Sequence, residues 1–397
     1  MNHTRILDRL ADLGGAKWGL HIRAGELIAA GRDIIALTIG NPDVPTPPDL
    51  IETAVAAMRA GRTQYSNGRG EEGLLRALAR RYSDRLGRQI GTDQFLCLPG
   101  TQTALYTVFA GVAEDGTEVL VGDPMYATYE GVIAASGARL VPVPLRPEMG
   151  FRITAADIEA RLTPRSRAIL LNTPHNPTGA VLTPADIAEI GALAIRRDLW
   201  LVVDEVYEDL VFDGVTFTSP LASPDLADRT IVVSSISKSH AAPGFRSGWC
   251  LGPAAFIERL LPLAETLLFG NQPFIADMTA TAVAGPSDVA RGMCRRFAAR
   301  ADRLEERLRG APALRLHKPQ AGMFALIGIA ATGLSAEAYA RDLLETHGVA
   351  VMPGTAFGTS LEGWVRVALT VDDAEFSRAA DRIVVHANTL ATTGATA

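Results

Sequence analysis

The sequence predicts an α/β protein: a mostly parallel central sheet in a large domain, with a smaller α+β domain beside it. Three observations predict this. Short apolar runs alternate along the chain with longer stretches whose apolar residues fall near helical spacing. The runs are continuous in Val, Ile and Leu rather than alternating with polar residues, as strands buried on both faces should be. The character changes after about Ala284, where the chain turns helical and Arg-rich before further strand-like pieces. A chain of 397 residues, 48% hydrophobic and 21% charged, is large enough to bury a sizeable core.

In chain order, the predicted strands of the large domain are Phe95–Leu98, Glu118–Val121, Ala168–Leu171, Leu199–Val203 and Thr230–Val233. The predicted helices are Gly73–Leu86, Thr101–Val112, Met125–Ser136 and Pro184–Arg197. Strands separated by helices imply crossover units, hence parallel order and helices on both faces of the sheet. We place the large domain at 46–284. The smaller one takes 1–45 and 285–397, with a helical stretch Arg291–Arg309, strand-like pieces Met323–Ile329 and Trp364–Leu369, and a helix Ala336–His347. The first forty residues are expected to pack with this smaller domain. The small, polar tail from Asn388 is expected to fray. No internal repeat is present.

Composition narrows the function. The formal net charge is -6 with both signs spread along the chain, whereas a nucleic-acid partner needs a concentrated basic surface. The three cysteines, Cys97, Cys250 and Cys294, are odd in number and far apart, without zinc-site spacing. Neither a metal nor a disulfide framework is expected, which fits a reducing compartment. The start is polar and charged without an apolar signal core, and no run approaches a membrane span. The expectation is a cytoplasmic protein. Gly68-Arg-Gly70-Glu-Glu-Gly73 matches the dinucleotide-binding pattern, but that motif needs a buried strand directly before it. The preceding residues, Arg62-Thr-Gln-Tyr-Ser-Asn, are polar, so a turn before the helix at Leu74 is the better reading.

Four segments carry chemistry. Ser234-Ser235-Ile-Ser237-Lys238 follows a predicted buried strand and leads to Arg246. A lysine there stands at the carboxyl end of the sheet, where α/β proteins place ligands. Hydroxyls and an arginine beside it suit a phosphate, and a phosphate beside a Schiff-base lysine is what pyridoxal phosphate (PLP) requires. A surface loop with one Lys and one Arg is the plainer alternative. Asp204, in Leu199-Trp-Leu-Val-Val203-Asp204-Glu205-Val-Tyr207, ends an apolar strand and calls for a cationic partner such as a protonated pyridine nitrogen, with Tyr207 in reach of the ring hydroxyl. A helix cap accounts for Asp204 as well. Asn172-Thr-Pro-His175-Asn176-Pro-Thr-Gly179 is a rigid turn that presents Asn176, or simply a turn with a structural His175. Gly100-Thr101-Gln102 joins a strand to a helix, where backbone N–H groups favour an anion or Thr101 caps the helix.

Taken together these segments resemble the class I aminotransferases, PLP enzymes of fold-type I, from about Asp33 to Leu369. The motifs that carry the resemblance are Gly40-Asn-Pro-Asp43, Gly100-Thr-Gln, Asn172 to Gly179, Asp204-Glu-Val-Tyr207 and Ser235 to Arg246. The resemblance implies that Lys238 is the Schiff-base lysine and the acid/base of catalysis. It implies that Asp204 pairs with the pyridine nitrogen, and that Asn176 and Tyr207 bind the ring oxygen. Gly100, Thr101, Gln102, Ser235, Ser237 and Arg246 would form the phosphate site, with Tyr126 stacked on the ring. Tyr65 would reach the phosphate of a neighbouring subunit. Gly40, Asn176 and Arg366 would bind substrate, Arg366 clamping the α-carboxylate by its planar fork. A homodimer with shared active sites follows from the same resemblance.

The implied reaction moves an α-amino group from an amino acid to a 2-oxo acid. Some members that prefer aspartate carry lysine where this chain has Thr101. Others borrow an arginine from the region matching Leu267–Pro273, and here no Lys or Arg lies between Arg259 and Arg291. Further likeness is to the arginine:pyruvate transaminases, in Pro124-Met-Tyr-Ala-Thr-Tyr-Glu130, Pro174-His175-Asn-Pro, Asp198-Leu-Trp200, Leu210-Val-Phe-Asp-Gly214 and Ser237-Lys-Ser-His240. The chain departs from that group with Pro243-Gly-Phe245-Arg246 for its Thr-Gly-Trp-Arg, and with Asn41 in Gly40-Asn41-Pro-Asp43. L-arginine:pyruvate transamination is the expected activity. The alternatives are another donor, a PLP β-lyase or racemase, and a non-catalytic PLP-binding module.

Overall fold

The computed structural model describes residues 3–11, 13 and 16–394. An N-terminal arm comprises helices α1 (Arg5–Ala11) and α2 (Gly19–Ala29) and the short strand β1 (Ile35–Ala36). Helices α3 (Pro48–Arg59) and α4 (Glu72–Leu86) lead into an alternating series. The series runs β2 (Phe95–Leu98), α5 (Gly100–Val112), β3 (Glu118–Asp123), α6 (Tyr129–Ser136), β4 (Arg139–Pro144), α7 (Ala155–Glu159), β5 (Ser166–Asn172), α8 (Pro184–Arg196) and β6 (Trp200–Asp204). It continues with β7 (Thr230–Ser235), α9 (Ile236–Ser239), β8 (Gly248–Leu251), α10 (Ala254–Leu267) and α11 (Pro273–Val283). The last part holds α12 (Asp288–Leu308), β9 (Arg315–His317), β10 (Phe324–Gly328), α13 (Ala336–His347), β11 (Val349–Ala350), β12 (Met352–Pro353), β13 (Trp364–Ala368) and α14 (Asp373–Gly394).

Among the described residues a seven-stranded sheet has the order β2-β8-β7-β6-β5-β3-β4, with β8 alone antiparallel to its neighbours. Successive residues of its strands serve opposite faces. Leu120, Ile169, Leu171, Val203 and Val232 join the apolar core on one side, and Val119, Val121, Leu170, Val202 and Val233 join the core on the other. Both faces are covered, so both registers must be apolar, and this is why the strands read as continuous apolar runs. Five consecutive strands, β7, β6, β5, β3 and β4, run parallel and end at one edge. There Asn172 of β5 stands beside Asp204 of β6, and β7 ends at Ser235.

A second, antiparallel sheet has the order β12-β13-β10-β9 and packs against α12, α13 and α14 over its own apolar core. In it Arg366 of β13 lies opposite Leu326 of β10 and Met352 of β12. The arm touches both parts. β1 pairs with β11, and Ala24 and Leu27 of α2 pack on Leu344 and Ala350, while α1 lies along α6 of the large sheet. The tail differs from the expectation of fraying. Helix α14 continues to Gly394, and Asn388 Nδ2 donates to the Gly310 carbonyl at 3.0 Å. Residues 395–397 lie outside the described residues.

The dinucleotide-like stretch is a turn, with α4 beginning at Glu72. Gly70, at φ +128°, is there because a Cβ would lie 2.7 Å from Cys97 Sγ.

Candidate active site

The short helix α9 follows β7 directly and carries Lys238 at the strand-end edge. Ser235 starts it, accepting the Ser237 N–H at 3.3 Å. The Lys238 Nζ donates to the Gly40 carbonyl at 2.9 Å. Burial pushes this amine down to about 8, and the positive charges of Arg366 and Arg246 act in the same direction. An amine so depressed is half free base at about pH 8.

Asp204 is buried at the end of β6. Its Oδ2 accepts the Tyr129 hydroxyl at 2.8 Å, and its Oδ1 accepts the Val206 N–H at 3.1 Å. Burial nevertheless raises it to about 6. Asn172 fixes the neighbouring backbone: its Nδ2 donates to the Asp204 carbonyl at 3.0 Å, and its Oδ1 accepts the Asn176 N–H at 2.8 Å. The Asn176 side chain thereby faces Arg366, whose Nη1 donates to Asn176 Oδ1 at 3.1 Å and whose Nη2 donates to the Thr38 carbonyl at 2.5 Å. The Arg366 guanidinium carbon is 3.8 Å from the Phe324 ring centre and 4.2 Å from that of Phe357, faces that stabilise a cation. Burial pulls Arg366 down to about 9, which leaves it protonated at neutral pH. Burial drives the Tyr207 hydroxyl up, so it stays a phenol.

On the opposite side, Arg246 adopts a left-handed backbone at φ +50°. Its Nη1 donates to the Pro243 carbonyl at 2.8 Å and lies 3.5 Å from Ser237 Oγ. A Cβ at Gly100, which has φ +83°, would lie 2.1 Å from Arg246 Nη2. Glycine is therefore required where β2 turns into α5, and it lets the guanidinium approach the N-terminus of that helix. Gln102 Oε1 accepts the Thr128 hydroxyl at 2.8 Å. Tyr126 meets Tyr129 edge-on, with ring centres 5.5 Å apart.

These groups surround one cavity of about 210 Å³. Of the residues singled out from sequence, Gly40, Thr101, Gln102, Tyr126, Asn176, Asp204, Tyr207, Ser235, Ser237, Lys238, Arg246 and Arg366 all line it. Gly100 lies just behind, against Arg246. Tyr65 is apart: it is 93% exposed and packs edge-on to Phe269 at 6.3 Å. His175 bonds Thr178 Oγ1 at 2.8 Å and lines a separate, smaller cavity. Sequence reasoning did not single out Tyr129, Asn172, Trp18 or Phe324 as lining residues. For Asn172 a signal existed, since it ends β5 beside the end of β6. For Tyr129 the signal was only its place three residues beyond Tyr126 in the expected helix Met125–Ser136.

The cavity fits PLP on three grounds. Among the described lining residues the cations Lys238, Arg246 and Arg366 face a single carboxylate, Asp204, so the interior favours an anionic ligand. The Thr101 hydroxyl is buried without a partner at the start of α5, beside Arg246, Ser235 and Ser237, a donor set suited to a phosphate. Asp204 receives two neutral donors and no cation, and its raised pKa leaves it short of the positive partner that a protonated pyridine supplies. Fold and cavity thus define a PLP-dependent transferase.

Comparison with known proteins places the chain within that class. Residues 32–383 match the family model described as aminotransferase class I and II, and the chain belongs to this family. It is 41% identical over 385 residues to the arginine–pyruvate transaminase of Pseudomonas aeruginosa, covering 97% of this chain and 98% of the relative. It is 33% identical to an aspartate/prephenate aminotransferase of Cereibacter sphaeroides, covering 85% and 88%. Among solved structures, the aspartate aminotransferase of Rhizobium meliloti superposes with a TM-score of 0.92 at 27% identity, covering 98% of this chain and 99% of that one. The maleate-bound aspartate aminotransferase of Thermus thermophilus gives 0.90 at 28% identity, covering 97% and 100%. The chain is a PLP-dependent aminotransferase that moves an amino group from an amino acid to a 2-oxo acid.

Proposed function

We propose that the amino donor is L-arginine and the acceptor pyruvate. The observation that carries this is the 41% identity, over nearly the full length of both chains, to the Pseudomonas aeruginosa arginine–pyruvate transaminase. The cavity supports it. Thr101 stands where some aspartate enzymes carry lysine, and among the described lining residues the cations are Lys238, Arg246 and Arg366, each with a role other than binding a second carboxylate.

In this reading Lys238 is the cofactor-anchoring lysine, and its depressed amine takes the proton from the substrate Cα. Bound PLP supplies the electron sink for the pair that this proton leaves behind. Asp204 holds the pyridine nitrogen protonated, kept in place by Tyr129 and the Val206 N–H. Asn176 and Tyr207 bind the ring oxygen, and Tyr126 covers the ring face. Gly100, Thr101, Gln102, Ser235, Ser237 and Arg246 hold the phosphate. Arg366, stiffened by Asn176, Phe324 and Phe357, clamps the substrate α-carboxylate, with Gly40 beside it. The enzyme acts as a cytoplasmic homodimer in which Tyr65 reaches the partner's phosphate site.

The test is a half-reaction screen. The holoenzyme is mixed with single L- and D-amino acids, and the bound cofactor's absorbance is followed from the pyridoxal to the pyridoxamine form. L-Arginine converts it fastest, and pyruvate restores it with release of alanine. Conversion by other donors but not by arginine overturns the donor assignment. Release of ammonia without an acceptor points instead to lyase chemistry.

A further inference from the structure

The segment that follows β1 meets the site with its main chain. Its carbonyls alternate in what they accept. Those of Leu37 and Ile39 accept the Ala368 N–H at 2.9 Å and the Thr370 hydroxyl at 3.3 Å, which lays the segment along the end of β13. Those of Thr38 and Gly40 accept Arg366 Nη2 at 2.5 Å and Lys238 Nζ at 2.9 Å. Beyond Gly40 the anchoring changes. Among the described residues no backbone–backbone hydrogen bond holds 41–46, and Pro42 has no N–H to give. The Thr46 hydroxyl donates to the Ala241 carbonyl at 2.5 Å, and between it and Gly40 the hold is the Asp43 side chain. Arg296 of α12 grips Asp43 with both arms, Nε on Oδ2 at 2.8 Å and Nη2 on Oδ1 at 2.7 Å, and Arg300 Nη1 adds a bond to Oδ2 at 2.8 Å. Arg300 also donates to the Leu369 carbonyl at 2.8 Å and to Asp373 at 2.7 Å. One buried guanidinium thus ties the Gly40 segment to the end of the strand that carries Arg366. Asp43, Arg296 and Arg300 do not line the cavity, and the roles above leave them unused.

Resting on the reading of Lys238 as the group that takes the Cα proton, we propose that Asp43, gripped by Arg296 and Arg300, is a positioning residue that holds the Gly40 carbonyl where it aims the Lys238 amine. A free amine carries two N–H groups and one lone pair, and it turns about its last C–N bond. Giving one N–H to a fixed carbonyl limits where the lone pair points. Once the amine has taken the proton, the same carbonyl faces an ammonium, and the hydrogen bond becomes charge-assisted. An acceptor whose bond strengthens as the proton arrives favours the transfer over the resting state. Both effects need the carbonyl in place, since a misplacement of about 1 Å at the reacting groups can cost about a hundredfold in rate. The clamp suits that task. Asp43 and Arg300 are only 5% and 4% exposed, so water does not compete for the pair. The planar fork of Arg296 fixes direction as well as distance.

The experiment is a single-turnover half-reaction with the wild-type, Asp43→Asn and Arg296→Met holoenzymes. Each is mixed with L-arginine or its Cα-deuterated form, and the limiting rate and the donor half-saturation are read separately. If arginine is no donor, the fastest donor of the half-reaction screen takes its place. Asp43→Asn lowers the limiting rate by about tenfold or more. Its deuterium effect is no smaller than that of wild type, because transfer from Cα is the step that slowed. Half-saturation moves by less than about threefold, because Arg366 keeps Asn176, Phe324 and Phe357 around it. A second readout needs no turnover. When the cofactor-free protein captures PLP, the same lone pair adds to the aldehyde carbon and water leaves. Capture therefore slows in step, while the PLP held at equilibrium stays within about threefold of wild type. A merely structural clamp lowers the melting temperature and PLP retention but leaves both rates of the folded protein unchanged, and that result overturns the proposal. A raised half-saturation with an unchanged limiting rate places the effect on Arg366 and overturns it as well, as does a slower rate with a shrunken deuterium effect. If Asp43→Asn does not fold, Arg296→Met decides. Arg296 is 35% exposed and its loss leaves Arg300 on Asp43, so both rates fall by about threefold, and unchanged rates overturn the proposal. A Lys238→Ala enzyme that still turns over removes the parent reading and this one together. An inactive Lys238→Ala beside an Asp43→Asn enzyme of normal rate removes only the Asp43 assignment.

Discussion

Asp204 shows how a single buried charge links cofactor and stability. Its pKa rises from the ordinary 3.8 to about 6, chiefly by burial. A carboxyl whose folded value is raised stabilises the fold fully below pH 3.8, and that contribution is lost as pH rises through about 6. At pH 8 the cofactor-free protein therefore carries a penalty on the order of 3 kcal/mol at most, at about 1.4 kcal/mol per pH unit. Asp204→Asn is expected to raise the melting temperature of the cofactor-free protein at pH 8, with the gain shrinking toward zero near pH 4. The same variant is expected to bind PLP more weakly and to lose most of its turnover, and an unchanged rate would refute the pyridine role. Lys238→Ala is expected to abolish turnover while the chain still folds and retains PLP weakly; dialysis followed by absorbance measures both. At this scale the sequence was most informative where a polar residue closes an apolar strand, as Asp204, Asn172 and Ser235 do. It was silent on Tyr129, whose partner lies 75 positions away and is defined only once α6 packs beside β6.

The elements were legible in proportion to their burial. Phe95–Leu98 and Ala336–His347 match their expected bounds, because uniform burial or strict helical spacing leaves one solution. Met125–Thr128 reads as the start of a helix, yet α6 begins at Tyr129: the Met125 N–H is taken by the Phe357 carbonyl at 2.8 Å, a tertiary bond no local pattern reveals. Strand β4 was missed because its prolines, Pro142 and Pro144, argue against a strand, and it lies at the sheet edge where they are tolerated. Helix α8 carries its start signal openly. Thr183 accepts the Asp186 N–H, Asp186 accepts the Thr183 N–H, and Pro184 opens the first turn. Thr183→Ala is expected to lower unfolding free energy by about 1 kcal/mol with kcat unchanged, since the cap is remote from the cavity. Chemical denaturation and steady-state rates check the two halves of this expectation.

At the scale of the whole molecule, the position of Tyr65 bears on how many chains make one site. It belongs to the same family pattern as the cavity residues, yet it lies outside the cavity and is 93% exposed. Beside it Phe269 is 58% exposed, and Leu267 and Leu268 are 45% and 40% exposed. An apolar surface around a residue with no work to do in its own site is what a shared-site dimer leaves on each subunit. Subunit mixing tests this. A Lys238→Ala chain lacks the anchoring lysine but still offers Tyr65 to its neighbour. A Tyr65→Ala chain keeps Lys238 but offers no tyrosine. In a mixed dimer, the site built on the Tyr65→Ala chain receives Lys238 from itself and Tyr65 from the other chain, and so is complete. The site on the Lys238→Ala chain lacks both. Random pairing of equal amounts makes half of the dimers mixed, each with one whole site, so activity recovers to about a quarter of wild type per subunit. Each variant alone stays well below that level. A mixture no more active than the sum of its parts, once subunit exchange has been verified, would mean that each chain works with its own residues alone.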